Sequence, residues 1–403
     1  MDCSTFRYCL LSCCPMQLSV VIVHYEVPAY LEQCLCSLDV ALQSEDAEII
    51  VVDNGASTAN KPALLDRFPR VVWIPSGSNL GFAAGCNLGW QRAQGDVVLF
   101  LNPDTLITRA ALNHCIAAMA QAAAVGCRLI NGNGFFLPES KRAIPSLRAA
   151  AFKMMGLAAL FPRSAYFNRY AMGEVPERAG CNVEVLTGAF MIAQRSVLEK
   201  LGGFDASYFL YGEDVDLCRR IKEAGFTSRY EGLAAVIHCK GASSAGRSAA
   251  YFHHFYRAMS IYARKYYSPL LAAWLWLMIH GREWLHRLVH LLASLFFPAP
   301  ALLPATCQWQ LVGDPSDCQV LAEMMRKKWG DTISLTFADR PVNEQPDQGY
   351  SSSRNSVRIF CIGKMSLESV IEKIEEAPGA VNLYWHSNSR SLVGSGHSYM
   401  LMP

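Results

Sequence analysis

The stretch LSVVIVHYEVPAYLEQCLCSLDVALQSEDAEIIVVDN (18–54) decides the fold class. Both of its ends are apolar and rich in β-branched residues, which predicts buried strands over 18–23 and 47–54. The segment between them, 29–42, carries its apolar residues at helical spacing. Buried strands that alternate with helices are typical of a mostly parallel sheet covered by helices on each side.

The same alternation continues along the chain. Helical spacing over 61–68 and 82–94 alternates with strand-like runs over 71–75 and 96–102. We therefore expect an α/β domain in which ligands bind beyond the carboxyl ends of the strands. The first strand runs into HYEVP, where a proline stands in place of a tight glycine turn, and this disfavours a dinucleotide-binding oxidoreductase.

Composition narrows the class of protein further. The chain has 403 residues, of which 52% are hydrophobic, so it is long enough for two or three domains and too apolar to be disordered. Lys+Arg (36) and Asp+Glu (34) nearly cancel, which disfavours nucleic acid as a partner. Fifteen cysteines without a CxxC pair favour buried thiols in a cytosolic enzyme over zinc sites or disulfides.

Polar residues follow the second and fourth strands, where the predicted sheet would bind a ligand. Asp53 ends the second strand, and its carboxylate can accept a hydrogen bond from the imide N–H of uracil or thymine. Asp104, in the turn Asn102–Pro103–Asp104, can hold Mg²⁺ or Mn²⁺ while diphosphate oxygens take other positions on the metal. The same tripeptide is also a common structural turn.

Three acids lie together in GGFDASYFLYGEDVDLCRRIKEAGF (202–226), before a predicted helix. The helix dipole favours acids at a helix start, but Glu213, Asp214 and Asp216 are more than this effect needs. One of them can act as a general base that accepts a proton from an acceptor hydroxyl. His238 ends a further strand-like run, where it is either a structural residue or a second ligand for the metal.

Short motifs follow one another along roughly residues 17–265: HYE, VVDNGAS, NLGFAAGCN, LFLNPD, TGAF, GGFDASYFLYGEDVDLCRR and IHCKGASS. In this order they resemble the family 2 glycosyltransferases of the GT-A fold, and most of all the bacterial rhamnosyltransferase-like branch. The resemblance implies a Rossmann-like mixed α/β sheet. It also implies a cytoplasmic, inverting transfer from a nucleotide-sugar donor, with Mn²⁺ or Mg²⁺ as the cofactor.

The resemblance assigns residues to the donor site. It implies that Tyr25 and Asp53 contact the nucleoside and that Asn79, Gly81 and Asn102 complete the nucleotide site. Asn102 stands where the DxD motif has its first acid, so the metal depends on fewer carboxylates here. Helix–sheet packing is an alternative explanation for Gly81, and the family's NYN motif is HYE in this sequence.

The resemblance also assigns the chemistry. Asp104, as the last acid of the DxD motif, would hold the metal, and His238 would complete metal binding. Asp214 would be the catalytic base. Glu213 and Asp216 would orient the acceptor or support the loop that carries this base.

The sequence predicts four regions. They are an N-terminal extension over 1–15, the GT-A domain over 16–267, an amphipathic helical segment over 268–304, and a small α/β domain of unassigned role over 305–403. The third region has no apolar run of the ~20 residues that span a bilayer, but it carries tryptophans and basic neighbours. This pattern fits a peripheral anchor on an anionic inner leaflet, or a helical hairpin packed on the catalytic domain.

Residues 128–170 form a basic insertion in the GT-A domain. They carry seven Lys and Arg residues against one acid, Glu139. Such an insertion predicts either a cradle for a diphosphate or a solvated surface loop.

The resemblance to this branch therefore implies an inverting glycosyltransferase of cell-surface glycan synthesis, such as lipopolysaccharide or cell wall. We expect it to move rhamnose from dTDP-rhamnose to a hydroxyl of a lipid-linked or polysaccharide acceptor, at the inner face of the plasma membrane. Two alternatives stay open: a non-catalytic GT-A scaffold in a glycan-assembly complex, and a nucleotidyltransferase. The second class usually has a glycine-rich basic loop after its first strand, which HYEVPAY lacks.

Overall fold

The computed structural model describes most of the chain between residues 17 and 400. The described residues are 17–43, 47–55, 61–239, 249–278, 280–281, 284, 308–329, 334–337, 356–376, 378, 381–387, 391–394 and 397–400. The predicted extension over 1–15 lies outside them, and so does much of the predicted segment over 268–304. The domain boundaries therefore stay predictions. No helix within the described ranges is long and apolar enough to cross a bilayer.

The first sheet is mixed, as the sequence predicts. Its strands are β1 (Leu18–His24), β2 (Ala47–Asp53), β3 (Val71–Pro75), β4 (Val97–Leu101), β5 (Thr105–Leu106), β6 (Ala124–Asn131), β7 (Cys181–Val183), β8 (Phe190–Gln194) and β9 (Ser228–His238). They follow the order β3-β2-β1-β4-β8-β6-β9-β5, with β7 beside β9. The first four strands pair in parallel, whereas β8 runs antiparallel to both β4 and β6.

Helices connect these strands. They are α1 (Pro28–Ala41), α2 (Lys61–Arg67), α3 (Phe82–Trp90), α4 (Arg109–Ala118), α5 (Leu147–Met154), α6 (Leu157–Leu160), α7 (Arg195–Leu201), α8 (Glu213–Glu223) and α9 (Ala249–Tyr266). α1 begins at Pro28, whose restricted φ suits a first helical position. α4 begins after Thr108, whose hydroxyl accepts a hydrogen bond from the Ala111 N–H at 2.9 Å. α3 ends before the predicted limit of 94, because Arg92 and the residue after it turn the chain back toward β4.

Both faces of the sheet are buried. On β1, Val20 and Ile22 face a core shared with α1 and α4, whereas Val21 and Val23 face a core shared with α3, α7 and α8. Successive side chains on a strand point to opposite faces, so each strand contributes to both cores. This double burial explains why the strands read as continuous apolar runs rather than as alternating patterns.

A second sheet follows near the C-terminus. Its strands are β10 (Gln308–Gly313), β11 (Ser334–Phe337), β12 (Ser356–Cys361), β13 (Val381–Trp385), β14 (Ser391–Gly394) and β15 (His397–Met400), in the order β11-β10-β12-β13-β14-β15. The helices α10 (Pro315–Trp329) and α11 (Leu367–Glu376) connect its parallel strands. The predicted α/β unit is confirmed, and the antiparallel strands β14 and β15 were not anticipated.

Substitution of Leu99 by alanine tests the core of the first sheet. Leu99 is fully buried in the central strand β4, so Leu99→Ala should lower the free energy of unfolding by about 2–5 kcal/mol. The matched control is Val72→Ala on the edge strand β3, where the side chain is 48% exposed and the loss should stay below about 1 kcal/mol. Urea unfolding followed by circular dichroism measures both changes. Equal losses in the two variants would contradict this assignment of the core.

Candidate functional site

The carboxyl ends of β1, β2 and β4 form one edge of the first sheet. His24 lies opposite Asp53 in the parallel pairing of β1 and β2, and Ile22 lies opposite Leu101 in the pairing of β1 and β4. The residues that follow these strands therefore emerge side by side. This is the edge where parallel α/β sheets bind ligands.

The nucleoside side of this edge holds Tyr25 and Asp53. Tyr25 is partly exposed, which leaves its ring accessible for stacking, whereas Asp53 is buried and accepts a hydrogen bond from the Gly55 N–H at 3.0 Å. Burial lowers the pKa of His24, an effect that the charge of Asp53 opposes. The predicted pair therefore lies at the expected edge, with Tyr25 open to solvent.

The predicted residues Asn79 and Gly81 form a turn before α3. The Asn79 side-chain oxygen accepts from the Gly81 N–H at 3.0 Å, and Asn54 donates to the Gly81 carbonyl at 2.9 Å. Gly81 has φ +83, and a Cβ there would overlap the backbone of Phe209. The turn therefore requires glycine at this position for close packing as well as for its conformation.

Asp104 and His238 meet across the pairing of β5 with β9. Thr105 lies opposite His238, and the Cys239 N–H donates to the Asp104 carbonyl at 2.8 Å. His238 Nε2 lies 3.1 Å from Asp104 Oδ1 and 3.4 Å from the side-chain nitrogen of Asn102. The structure thus brings together three residues that the sequence predicts for donor and metal binding.

Asp104 and His238 fit a divalent cation whose other ligands are diphosphate oxygens or water. A carboxylate oxygen and an imidazole nitrogen are donors that Mn²⁺ accepts readily, and both side chains are buried. His238 Nδ1 is buried and has no hydrogen-bond partner among the described residues, so the contacts of the ring with Asp104 and Asn102 are made through Nε2. The part of the chain that the structure describes contains no cluster of three metal-binding side chains, so further ligands would come from diphosphate or water.

Asp214, the predicted base, lies at the start of α8 in an ion pair. Arg142 Nη2 lies 2.6 Å from Asp214 Oδ2, and the same oxygen accepts from the Gly188 N–H at 3.3 Å. Asp214 Oδ1 accepts from the Val215 N–H at 2.8 Å. The Arg142 guanidinium also donates to the Leu186 carbonyl at 3.0 Å, so it is held in place from a second side. The sequence does not reveal this partner for Asp214.

Glu213 and Asp216 are both buried, but their hydrogen-bonding surroundings differ. Burial, and then the charge of Asp214, raises the pKa of Glu213, whose Oε2 has no partner among the described residues. Asp216 accepts at 2.7 Å from Arg220 and from the Tyr266 hydroxyl. Asp216 therefore ties α8 to α9, which fits support of the loop better than contact with an acceptor.

The basic insertion does not form a single cradle. Arg128 pairs with Glu375 of the second sheet's unit, and Arg142 pairs with Asp214. Lys141 donates to the carbonyl of Met172 at 2.7 Å. These three cations face different elements, so the predicted diphosphate cradle is not built from them.

The motif TGAF (187–190) lies between the pair Asp104 and His238 and the acids at the start of α8. The Asn102 N–H donates to the Ala189 carbonyl at 3.0 Å, and the Gly188 N–H donates to Asp214. The turn that carries Asp104 and the carboxylate of Asp214 therefore flank the same short segment before β8. This arrangement brings the predicted metal ligand and the predicted base to one edge of the sheet.

Comparison with known proteins identifies relatives of this chain. Residues 19–202 match the model of glycosyl transferase family 2. The chain is 30% identical over 247 residues to the N-acetylglucosaminyl-diphospho-decaprenol L-rhamnosyltransferase of Mycobacterium tuberculosis, covering 58% of this chain and 79% of that protein. It is 26% identical over 230 residues to rhamnosyltransferase WbbL of Escherichia coli, covering 54% of this chain and 82% of that protein.

Solved structures show more distant similarity. The mannosyltransferase PcManGT from Pyrobaculum calidifontis, in complex with GDP-Man and Mn²⁺, is 17% identical and matches with a TM-score of 0.43. The match covers 79% of this chain and 84% of that one. GalNAc-T7, solved with UDP, GalNAc and Mn²⁺, is 14% identical with a TM-score of 0.43, and the match covers 55% of this chain and 43% of that one.

The raised pKa of Glu213 predicts a pH-dependent stability difference in Glu213→Gln. The native state holds this proton more tightly than the unfolded chain, so stability from Glu213 is present at low pH and is lost as pH rises above the ordinary value near 4.5. Glutamine cannot ionise, so the variant should gain free energy of unfolding relative to wild type between about pH 5 and about pH 8.

Urea unfolding at several pH values measures this difference. The control is Glu199→Gln on α7, where the exposed carboxylate forms an i,i+4 pair with Arg195. A difference between Glu213→Gln and wild type that stays constant with pH would contradict the assignment.

Proposed function

The chain belongs to the family 2 glycosyltransferases, and we propose that it transfers rhamnose from dTDP-rhamnose, with inversion, to a hydroxyl of a lipid-linked or polysaccharide acceptor in cell-surface glycan synthesis. The observation that carries this proposal is the convergence of Asp104, His238 and Asp214 on one edge of the sheet, around the TGAF segment. The names of the mycobacterial and Escherichia coli relatives support rhamnose as the sugar.

The donor nucleotide would lie along the edge formed by β1, β2 and β4. Tyr25 offers an accessible ring for stacking on the base, and Asp53 a carboxylate for the imide N–H of thymine. Asn79 and Gly81 form the turn that Asn54 contacts beyond β2, and Asn102 lies beside His238 beyond β4. The arrangement suits a nucleoside diphosphate whose base lies near β2 and whose phosphates lie near β4.

Asp104 and His238 would hold one Mn²⁺ or Mg²⁺. When bound, the ion neutralises the negative charge that develops on the leaving diphosphate. His238 Nε2 lies 3.1 Å from Asp104 Oδ1, and this short separation supports the role because both atoms can bind the same ion. Asn102 lies beside them in place of a second carboxylate.

Asp214 would accept the proton of the acceptor hydroxyl. The hydroxyl oxygen attacks the anomeric carbon, the bond from that carbon to the diphosphate oxygen breaks, and the diphosphate leaves with the bonding electrons. Arg142 and the Gly188 N–H fix the orientation of the carboxylate, while Oδ1 has one further lone pair available beyond its bond to the Val215 N–H. A second carboxylic acid is unnecessary because diphosphate leaves without protonation, unlike the leaving group of a glycoside hydrolase.

A peripheral location on the inner face of the plasma membrane is part of the proposal. Leu270, Trp274 and Leu277 lie on the helical stretch at 269–278, where the side chains of Trp274 and Leu277 are 56% and 65% exposed. Exposed leucine and tryptophan on one short helix are typical of segments that lie in a membrane interface. Such a location would bring the enzyme to a lipid-linked acceptor.

Donor binding and turnover test the enzymatic proposal. With Mn²⁺ present, dTDP-rhamnose should raise the melting temperature of the full chain more than UDP- or GDP-sugars do, because a ligand that binds only the folded state stabilises it. Asp214→Asn should retain this shift and lose about 10²–10⁴-fold in turnover, the range for removal of a general base. Release of dTDP and NMR of the product's anomeric centre measure rate and stereochemistry.

The control is Glu199→Gln, which makes the same carboxylate-to-amide change at an exposed position. Unchanged turnover in Asp214→Asn would overturn its assignment as the base. Failure of every nucleotide-sugar to bind would favour the non-catalytic scaffold instead.

Vesicle binding tests the membrane proposal separately. The full chain should sediment with vesicles of phosphatidylglycerol and phosphatidylcholine, and Trp274→Ser combined with Leu277→Ser should release it, because both side chains lose their apolar contact with the interface. The control is Leu233→Ser on β9, an equally exposed leucine at 66%. A wild-type chain that stays in the supernatant would exclude peripheral binding through this segment.

A further inference from the structure

The unit that contains the second sheet shares a buried core with the first sheet. Side chains from α1, β5, β6 and β9 pack into one cluster with side chains from β12, α11, β13 and β14. The cluster includes Tyr30, Leu106, Ile130 and Ile237 from the first sheet and its helix, and Phe360 and Tyr384 from the second sheet. Two of the strands that contribute to it are β5, which Asp104 directly precedes, and β9, which ends at His238. The second unit therefore packs directly behind the proposed metal ligands.

One contact between the units is a turn that follows β6. The Gly132 carbonyl accepts two hydrogen bonds from β13, one from the Tyr384 hydroxyl at 2.7 Å and one from the Asn382 side chain at 3.0 Å. Gly134 in the same turn has φ +86, and a Cβ there would overlap the carbonyl of Ile374 at the end of α11. The turn is therefore shaped to fit the second unit and not only to end β6.

This turn is one residue from the strand position beside His238. In the parallel pairing of β6 and β9, Asn131 lies opposite His238, and on the other side of β9 Thr105 lies opposite the same histidine. Backbone pairing therefore connects the residue before Gly132 directly to His238.

A second path runs through α1. The Tyr30 hydroxyl donates to the Gly394 carbonyl at 2.9 Å, and the Gln33 side chain donates to the Ser391 carbonyl at 2.7 Å. The next residue, Cys34, has its Sγ 3.7 Å from the Thr105 hydroxyl oxygen. The second unit thus contacts the helix that packs against the turn carrying Asp104.

β5 is too short to form many hydrogen bonds with a neighbouring strand. It is a strand of two residues at the edge of the sheet, and it pairs with β9 within the described part of the chain. A short edge strand is only as rigid as the elements packed on it, because it has few ladder hydrogen bonds. α1 contacts β5 through Cys34, and the end of β6 pairs with the other side of β9; each of these elements is in contact with the second unit.

We propose that the unit spanning β10 to β15 positions Asp104 and His238, through Tyr384 and Asn382 on Gly132, and so sets the affinity of the site for its divalent cation. Tyr384 and Asn382 are positioning residues, since they act through the backbone of β6. The proposal rests on the proposed function, in which these two ligands hold Mn²⁺ or Mg²⁺. It assigns a role to a unit whose sequence carries no recognisable catalytic motif.

The decisive variant is Tyr384→Phe combined with Asn382→Ala in the full chain, which removes the two hydrogen bonds from β13 to the Gly132 carbonyl. Mn²⁺ affinity, measured by electron paramagnetic resonance of free Mn²⁺ with and without dTDP, should weaken by about tenfold, the low end for loss of outer partners of metal ligands. Tyr384→Phe alone should weaken it less, because Asn382 still donates, and this milder variant guards against misfolding of the double variant. Asp104→Asn gives the Mn²⁺ affinity of a chain that lacks one of the two proposed metal ligands.

The matched control is Met325→Ala on α10. Met325 is fully buried in the core on the opposite face of the second sheet, among Leu311, Leu321 and Trp385, so its loss destabilises the same unit without touching Gly132. We expect unchanged Mn²⁺ affinity in this variant. Hydrogen exchange provides a readout without metal: the double variant should exchange faster over 102–106 and 236–239, and Met325→Ala should not.

The outcomes separate this proposal from the proposed function. Wild-type affinity for Mn²⁺ in the double variant would overturn the positioning role, and so would equal weakening in Met325→Ala. If the wild-type chain binds no Mn²⁺, the proposed metal is refuted. Hydrogen exchange would then be the test of whether the second unit positions Asp104 and His238. Faster exchange confined to those two segments in the double variant would support it, and unchanged exchange would refute it.

Discussion

The pairing of β5 with β9 is the constraint on which the site depends. It sets Thr105 opposite His238 and leaves the imidazole beside the Asp104 carboxylate at the end of the sheet. Because β5 is short and at the edge, the geometry of this pair depends on what lies behind it. α1, the end of β6 and the second sheet's unit contact β5 and β9 from positions distant in sequence, so the surroundings of the candidate site are not built by a local motif.

The start of α8 shows how a protein buries three carboxyl groups in four residues. Asp214 is paired with Arg142, and Asp216 with Arg220 and the Tyr266 hydroxyl, so each buried charge has partners. Glu213 forms no ion pair among the described residues, and burial raises its pKa, which favours the protonated form. The partners of Asp214 hold its carboxylate in a fixed orientation, which suits the proposed role of general base.

The buried strands were predictable because their signal is local. The predicted runs at 18–23, 47–54, 71–75 and 96–102 correspond to β1, β2, β3 and β4 within one residue at each end, since a strand buried on both faces must be apolar throughout. β14 and β15 were missed because four-residue strands between glycines and serines carry too few apolar residues to stand out. α3 was predicted too long because its helical spacing continues past Trp90, where the backbone turns.

The amino-acid sequence alone determined the α/β class, the strand edge where ligands would bind and the family, because apolar periodicity and the order of short motifs are written along the chain. Only the tertiary structure decided which side chains meet. Arg142 looked like one cation in a basic insertion and lies against Asp214, while Arg128 in the same insertion holds Glu375 of the second unit. Contacts between residues so distant in sequence depend on strand order and on the docking of units, and no local pattern of residues encodes either.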